Sequence, residues 1–322
     1  MIEFEREKPQ FSEILHSMRL LTRSDFDGLA CAVLLKDVGL IDRYKFVHPK
    51  DIQDGKVEVT ENDVLANVPY VPGCGLWFDH HTSEQFRVHD FGSFEGSYRE
   101  APSCARVIWD FYDGYNTFDA HFTDLMTAVD KSDSGDLTAE DIEDPRDWML
   151  LSFVMDPRTG LGRYKDYRIS NYQLMEDMVE HCRNRTIGEI MALPDVQERL
   201  RRYYQQTALF RAMMRKRGHL EGNVLGIDLR EQTEIYSGNR FIIYTMFPDA
   251  NVSLQMMWGM NRNNVVISCG HSVTNRTCKS DIGQLMLEFG GGGHRQVGTC
   301  QVAVENAETV FATLMERLKE QE

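Results

Sequence analysis

The sequence predicts an α/β protein in two parts. An N-terminal parallel-sheet domain with flanking helices comes first, then a connector helix and a smaller C-terminal α/β domain. Three observations lead there. Short apolar runs of strand length alternate with runs of helical periodicity in the first part of the chain. From 171 to 217 the pattern is helical and turns basic. Beyond it, strand-like segments recur at fairly regular spacing and end in an amphipathic stretch.

In chain order, MRLLT (18–22) reads as a short buried strand, followed by the polar turn RSDFDG and the helical run LACAVLLKDVGL. YKFVH (44–48), VLANV (64–68) and GLWF (75–78) read as strands. SCARVIWDFY (103–112) and FDAHFTDLMTAV (118–129) have helical periodicity, with Ser103 suited to N-capping. Such alternation implies a parallel sheet that binds ligands at the carboxyl ends of its strands, where both acidic turns lie. We set the first domain at 1–190, the connector at 191–218 and the second domain at 219–322. In the second, NVLGIDL, RFIIYTMF, VSLQMMWG and NVVISCG read as strands and SDIGQLMLEF as a helix. VGTCQVAV is a further strand, and ENAETVFATLMERLKEQ the closing helix.

The 322 residues, 42% of them hydrophobic, allow a large core. Lys+Arg 35 against Asp+Glu 50 leaves a net charge of −15. That field repels long nucleic acid, so none is expected as a partner. Small anions held by a divalent cation remain compatible with it. Seven scattered cysteines without CxxC spacing fit a reducing cytosol, and a cytoplasmic location is expected. MIEFEREKPQ has no apolar core of a leader, and no apolar run reaches bilayer length, so no membrane role is expected. Oligomeric state stays open, a homodimer included.

Chemistry concentrates in a few places. Asp25 and Asp27 are two apart in RSDFDG and repel unless a cation or Arg23 sits between them; the plain alternative makes Asp27 a helix N-cap. Asp79-His80-His81 lies at another strand end, and histidine with carboxylates from separate strands suits Mn²⁺. VDKSDSGD adds Asp130 and Asp133. GGGGHRQVGT (290–299) frees several backbone N–H groups to meet an anion, with His294 as a side-chain donor. The connector carries Arg199, Arg201, Arg202, Arg211 and Arg215 with Tyr203 and Tyr204 between, which we read as a solvated face in preference to a nucleotide track. His48 and Lys50 follow a strand, where reaching the site and capping are equal alternatives.

Asp25-Phe26-Asp27-Gly28, Asp79-His80-His81 and Gly291-Gly292-Gly293-His294, in that order, resemble the motifs of DHH/DHHA1 phosphoesterases. That family includes RecJ-type exonucleases, nano-RNases and cyclic-dinucleotide phosphodiesterases. FVHPKDIQDG and NRTCKSDIGQLM are similar to its exopolyphosphatase-related group. The resemblance covers nearly the whole chain. It implies a DHH domain binding two Mn²⁺ and a DHHA1 domain gripping the substrate's far end. Two positions depart from the pattern: Arg23 stands where the family has histidine, and Asn67 where it has a bridging aspartate.

By resemblance, the ion held through Asp25 loses two ligands. The other keeps Asp27, His80 and Asp130, with Asp133 the rival for the last place. One Mn²⁺ is therefore the expectation, and for Arg23 two alternatives stand equal: it takes the other ion's place electrostatically, or it only pairs with Asp25 or Asp27. Asn67 would ligate or orient a water, Asp79 would fix a histidine, and His81 would donate to the phosphate or the leaving oxygen. Arg276, Gly291, Gly292, Gly293 and His294 would hold the substrate's end. The expected activity is hydrolysis of a very short oligonucleotide, such as the linear dinucleotide pGpG, to mononucleotides. Its rivals are a phosphoanhydride hydrolase acting on polyphosphate and a non-catalytic nucleotide-binding protein.

Overall fold

The computed structural model describes residues 17–81, 84 and 93–320. The charged N-terminal stretch lies outside them. Five parallel strands form the first sheet: β1 (Met18–Arg23), β2 (Ile41–Val47), β3 (Asp63–Ala66), β4 (Leu76–Asp79) and β5 (Gly96–Tyr98), in the order β2-β1-β3-β4-β5. Both faces are covered, as a parallel sheet requires. Leu20 packs into the main core and its neighbour Leu21 into a second cluster with Leu65 and Trp77, on the opposite side.

The helix Phe26–Asp37 follows β1 and is buried from Phe26 to Leu35, which explains a sequence apolar on all sides. Gly28 is obligatory in this turn, because a Cβ there would meet the Arg23 carbonyl oxygen at 1.9 Å. Gly28→Ala is expected to cost about 3 kcal/mol and to lower Tm by ~6 °C or more. A thermal unfolding midpoint matching the wild type would contradict this account of the turn.

The connector is one helix, Pro194–Arg217, with proline in its first turn and Gly218 as its cap. Its arginines are mostly engaged: Arg199 is fully buried and bonded to Asn171 and the Ile169 carbonyl. Arg202 pairs with Asp166, Arg211 with Glu143 and Arg217 with Glu231. Gly218 leads directly into the second sheet, β6 (Gly218–Glu221), β7 (Val224–Asp228), β8 (Val252–Trp258), β9 (Val265–His271), β10 (Gly292–His294) and β11 (Val297–Val302). The order is β10-β11-β9-β8-β7-β6, antiparallel except for β7–β8.

One expected strand is a helix. In RFIIYTMF, Ile242–Met246 is helical, and the Asn239 side chain accepts from Phe241 N just before it. Phe241 to Tyr244 are all buried in the core shared with the first domain, and a short apolar run buried on every side has no readable period. GGGGH, in turn, is partly strand, as β10. Among the described residues, no helix is long and apolar enough to cross a membrane.

Candidate active site

The site forms where β1 and β4 end and the helices behind them begin. Asp25, not Asp27, is the N-cap of Phe26–Asp37: its Oδ1 accepts from Gly28 N at 3.0 Å. Asp27 lies in the first turn and is buried. Its two oxygens accept from Cys104 N (2.9 Å) and Ala105 N (2.8 Å) at the start of the helix Cys104–Phe111. A carboxylate on a neighbouring helix N-terminus is fixed in direction and favourably placed.

β4 delivers Asp79, His80 and His81. Asp79 Oδ1 accepts from His80 N (2.8 Å) and from His81 Nδ1 (2.7 Å), so one buried carboxylate orients the pair. His80 Nδ1 lies 3.0 Å from the Ala101 carbonyl, to which it donates, so Nε2 is the ring nitrogen that would give its lone pair to a cation in exchange for a proton. Among the described residues, that buried Nε2 has no hydrogen-bond partner. It lies 3.2 Å from Asp133 Oδ2 and 3.8 Å from Asp27 Oδ2.

Asp27, His80 and Asp133 therefore offer one donor atom each, all within 4.8 Å of one another. Burial, and then the charge of Asp133, push Asp27 up to about 7. Burial opposes charge on His80, but the Asp133 and Asp27 carboxylates outweigh it and raise its pKa to about 10. A divalent cation would relieve the repulsion between the carboxylates, and two carboxylates with an imidazole suit Mn²⁺ chemistry. The adjoining cavity, lined by Asp25, Asp27, Asp133 and Arg158, has a volume of about 20 Å³, room for a single small occupant.

Asp130 is placed elsewhere. Its carboxylate accepts from Ser103 Oγ (2.7 Å) and from Arg106 Nε (2.9 Å) and Nη2 (2.6 Å), bracing the Cys104–Phe111 helix. Asp133 stands one turn further along the helix Phe122–Ser134 and meets His80 instead.

Asp25 is enclosed by donors. Besides Gly28 N, its Oδ1 accepts from Asn67 Nδ2 (3.0 Å), and its Oδ2 pairs with Arg23 Nε (2.9 Å). Burial raises the Asp25 pKa, and the Arg23 guanidinium pulls the other way. Asn67 is buried with φ 56°, a left-handed conformation asparagine tolerates better than most residues.

On the facing wall, the His294 ring lies 6.1 Å from that of His81. A Cβ on Gly291 would meet Thr299 O at 2.0 Å and one on Gly293 would meet Val297 O at 2.2 Å, so these glycines permit close pairing of β10 with β11. Among the described residues, nothing crowds Gly292. Arg276 crosses to the first domain, donating to the Gly135 carbonyl (3.0 Å) and Asp136 Oδ1 (2.8 Å). His48 caps the short helix Pro49–Gln53 and Lys50 pairs with Asp54. Arg158, which lines the small cavity and pairs with Asp156 (2.8 Å), had no signal in the sequence beyond DPRTG.

No protein-family model matches the chain, and no curated protein does. Among solved structures it is similar to a pGpG-specific phosphodiesterase from Vibrio cholerae. The two are 45% identical, over 95% of this chain and 100% of the other, with a TM-score of 0.83. The DHH domain of a protein assigned to a family of ribosomal proteins is 12% identical over 95% of this chain and 87% of that one, with a TM-score of 0.60. CDC45 from Entamoeba histolytica is 8% identical over 94% and 95% of the two chains, with a TM-score of 0.51. These two share the fold.

Proposed function

The chain belongs to the DHH/DHHA1 phosphoesterase family, and we propose that it is a metal-dependent phosphodiesterase hydrolysing the dinucleotide pGpG to mononucleotides. The observation that carries this reading is the convergence of Asp27, His80 and Asp133 on one point at the strand ends. The 45% identity to a pGpG-specific enzyme supports the substrate. The acidic net charge of −15 also favours a short substrate over a long strand.

Asp27, His80 and Asp133 would hold one divalent ion, which we take to be Mn²⁺. When bound, such an ion polarises a phosphoryl oxygen and makes hydroxide available at neutral pH. The protein's own groups do the rest. The bonds from Cys104 N and Ala105 N keep Asp27 facing the site. Burial opposes charge on His81, but the bond to Asp79 through Nδ1 and the Asp79 charge raise its pKa, so the imidazolium form has Nε2–H left to donate to the phosphate or the leaving oxygen. Arg23, bound to Asp25, places a permanent positive charge beside the reacting phosphoryl group. His294 and the open backbone at Gly292 take the far end of the substrate.

Purified protein with Mn²⁺ and a series of di- to heptanucleotides tests this. Turnover is expected for the dinucleotide and is expected to fall steeply with length. No cleavage at any length would defeat the catalytic reading, and phosphate release from polyphosphate alone would redirect it to phosphoanhydrides.

A further inference from the structure

Beside the small cavity at the metal ligands lies a larger one of about 290 Å³. Phe210 and Met214 of the connector helix close one side, and Ile243 and Met257 of the second domain contribute another. Arg158, Arg163 and Arg240 line it, and among the described residues its lining holds no carboxylate. Three guanidinium groups around one cavity are unexpected in a chain of net charge −15.

The three are not equally engaged. Arg158 pairs with Asp156. Arg163 donates to the carbonyls of Gly160 (3.1 Å) and Ile235 (2.6 Å) and to Ser237 Oγ (3.0 Å), which fixes it without neutralising it. Arg240 has neither a hydrogen bond nor an ion pair among the described residues. Its Nε is buried without a partner, and its guanidinium lies over the Phe241 ring, 4.3 Å from the centroid. Burial, and then the charge of Arg158, lower its pKa to about 10. Asp156 and Asp133 act on Arg240 through charge without a direct ion pair, and a buried guanidinium left without a direct partner is unfavourable, so an incoming anion would relieve it.

We propose that this cavity binds the 5′-terminal nucleotide of the substrate, its terminal phosphate on Arg240 and Arg158 and its base against the apolar wall. The inference rests on the dinucleotide reading above and deepens it. Guanidinium forks match phosphate oxygens in geometry and charge, while Phe210, Met214, Ile243 and Met257 offer the apolar surface a base requires. Arg276, another arginine at the domain junction, is already bonded to Asp136 and the Gly135 carbonyl; Arg240 has no such partner among the described residues. Arg158 lines both cavities, so a phosphate seated on it sits next to the metal ligands. Phe210 and Met214, both buried, form the wall of the larger cavity on the connector side. The same cavity would thus recognise the terminal phosphate and seat the first base.

The test compares pGpG with GpG, which lacks only that phosphate, in wild type, Arg240→Met and Arg240→Lys. The wild-type KM is expected to be about 10- to 100-fold lower for pGpG. That ratio should collapse towards unity in Arg240→Met and fall in Arg240→Lys, which keeps the charge but loses the fork. An unchanged ratio in either folded variant would overturn the proposal. Calorimetry with guanosine 5′-monophosphate and guanosine, on metal-free protein in chelator, reads the cavity without turnover. Preference for the phosphorylated ligand, lost in Arg240→Met, is expected; equal binding of the two by wild type would overturn the proposal. Should wild type cleave no dinucleotide, the proposed function fails while the calorimetric comparison still decides the cavity.

Discussion

Asp133→Asn is expected to lower turnover about 1,000-fold or more and to abolish tight divalent-ion binding, whereas Asp130→Asn should leave both within a few-fold of wild type. Asp133 Oδ2 lies 3.2 Å from the unpartnered Nε2 of His80, and with Asp27 these residues make the one metal-suited group, among the described residues, that joins separate strands and helices. The other such group, Asp79-His80-His81, is internally satisfied, because Asp79 Oδ1 already accepts from its two neighbours. Asparagine at 133 removes the charge as well as a donor oxygen, and Asp27→Ala and His80→Ala should match its effect. Asp130 instead binds Arg106 and Ser103, so its replacement should appear as a stability loss of about 1–2 kcal/mol. Steady-state kinetics and metal titration of both variants separate the roles. Loss of metal in Asp130→Asn with retention in Asp133→Asn would reverse the assignment.

That pair also marks where the sequence stops being legible. The alternation of strand and helix was readable because a parallel sheet covered on both faces needs uninterrupted apolar strands, as in MRLLT. The motif residues Asp25, Asp27 and His80 were readable because each sits within a few residues of a strand end. Asp130 and Asp133 are three apart on one helix, and local pattern gives both the same face. What separates them is distant: Arg106 stands beside Asp130, and His80, just past the end of β4, beside Asp133. The same limit hid Arg158 and Arg240, whose shared cavity is assembled from the segment after 156, the connector and the second domain. RFIIYTMF failed for a different reason. Its apolar residues satisfy a strand and a buried helix equally, and only burial between the two domains decides.

Arg23 is the second position where a large effect is expected. Arg23→Ala should lower turnover about 100-fold while leaving one bound ion per chain. The structural reason lies in Asp25, whose carboxylate meets Gly28 N, Asn67 Nδ2 and Arg23 Nε at 2.9–3.0 Å. A second ion using Asp25 would have to displace the guanidinium and then find ligands, and Asn67 turns its amide N–H towards that carboxylate rather than a lone pair towards a cation. Restoring both ligand types in Arg23→His/Asn67→Asp should therefore raise the stoichiometry from one ion to two, because an imidazole and a carboxylate then flank Asp25. Elemental analysis and calorimetry read the count directly. Two tightly bound ions in the wild-type chain would mean that Arg23 swings away from Asp25, and its place as the substitute charge would be lost. A wild type with one ion and a double variant with two would instead make the exchange of a metal for an arginine a property of two side chains.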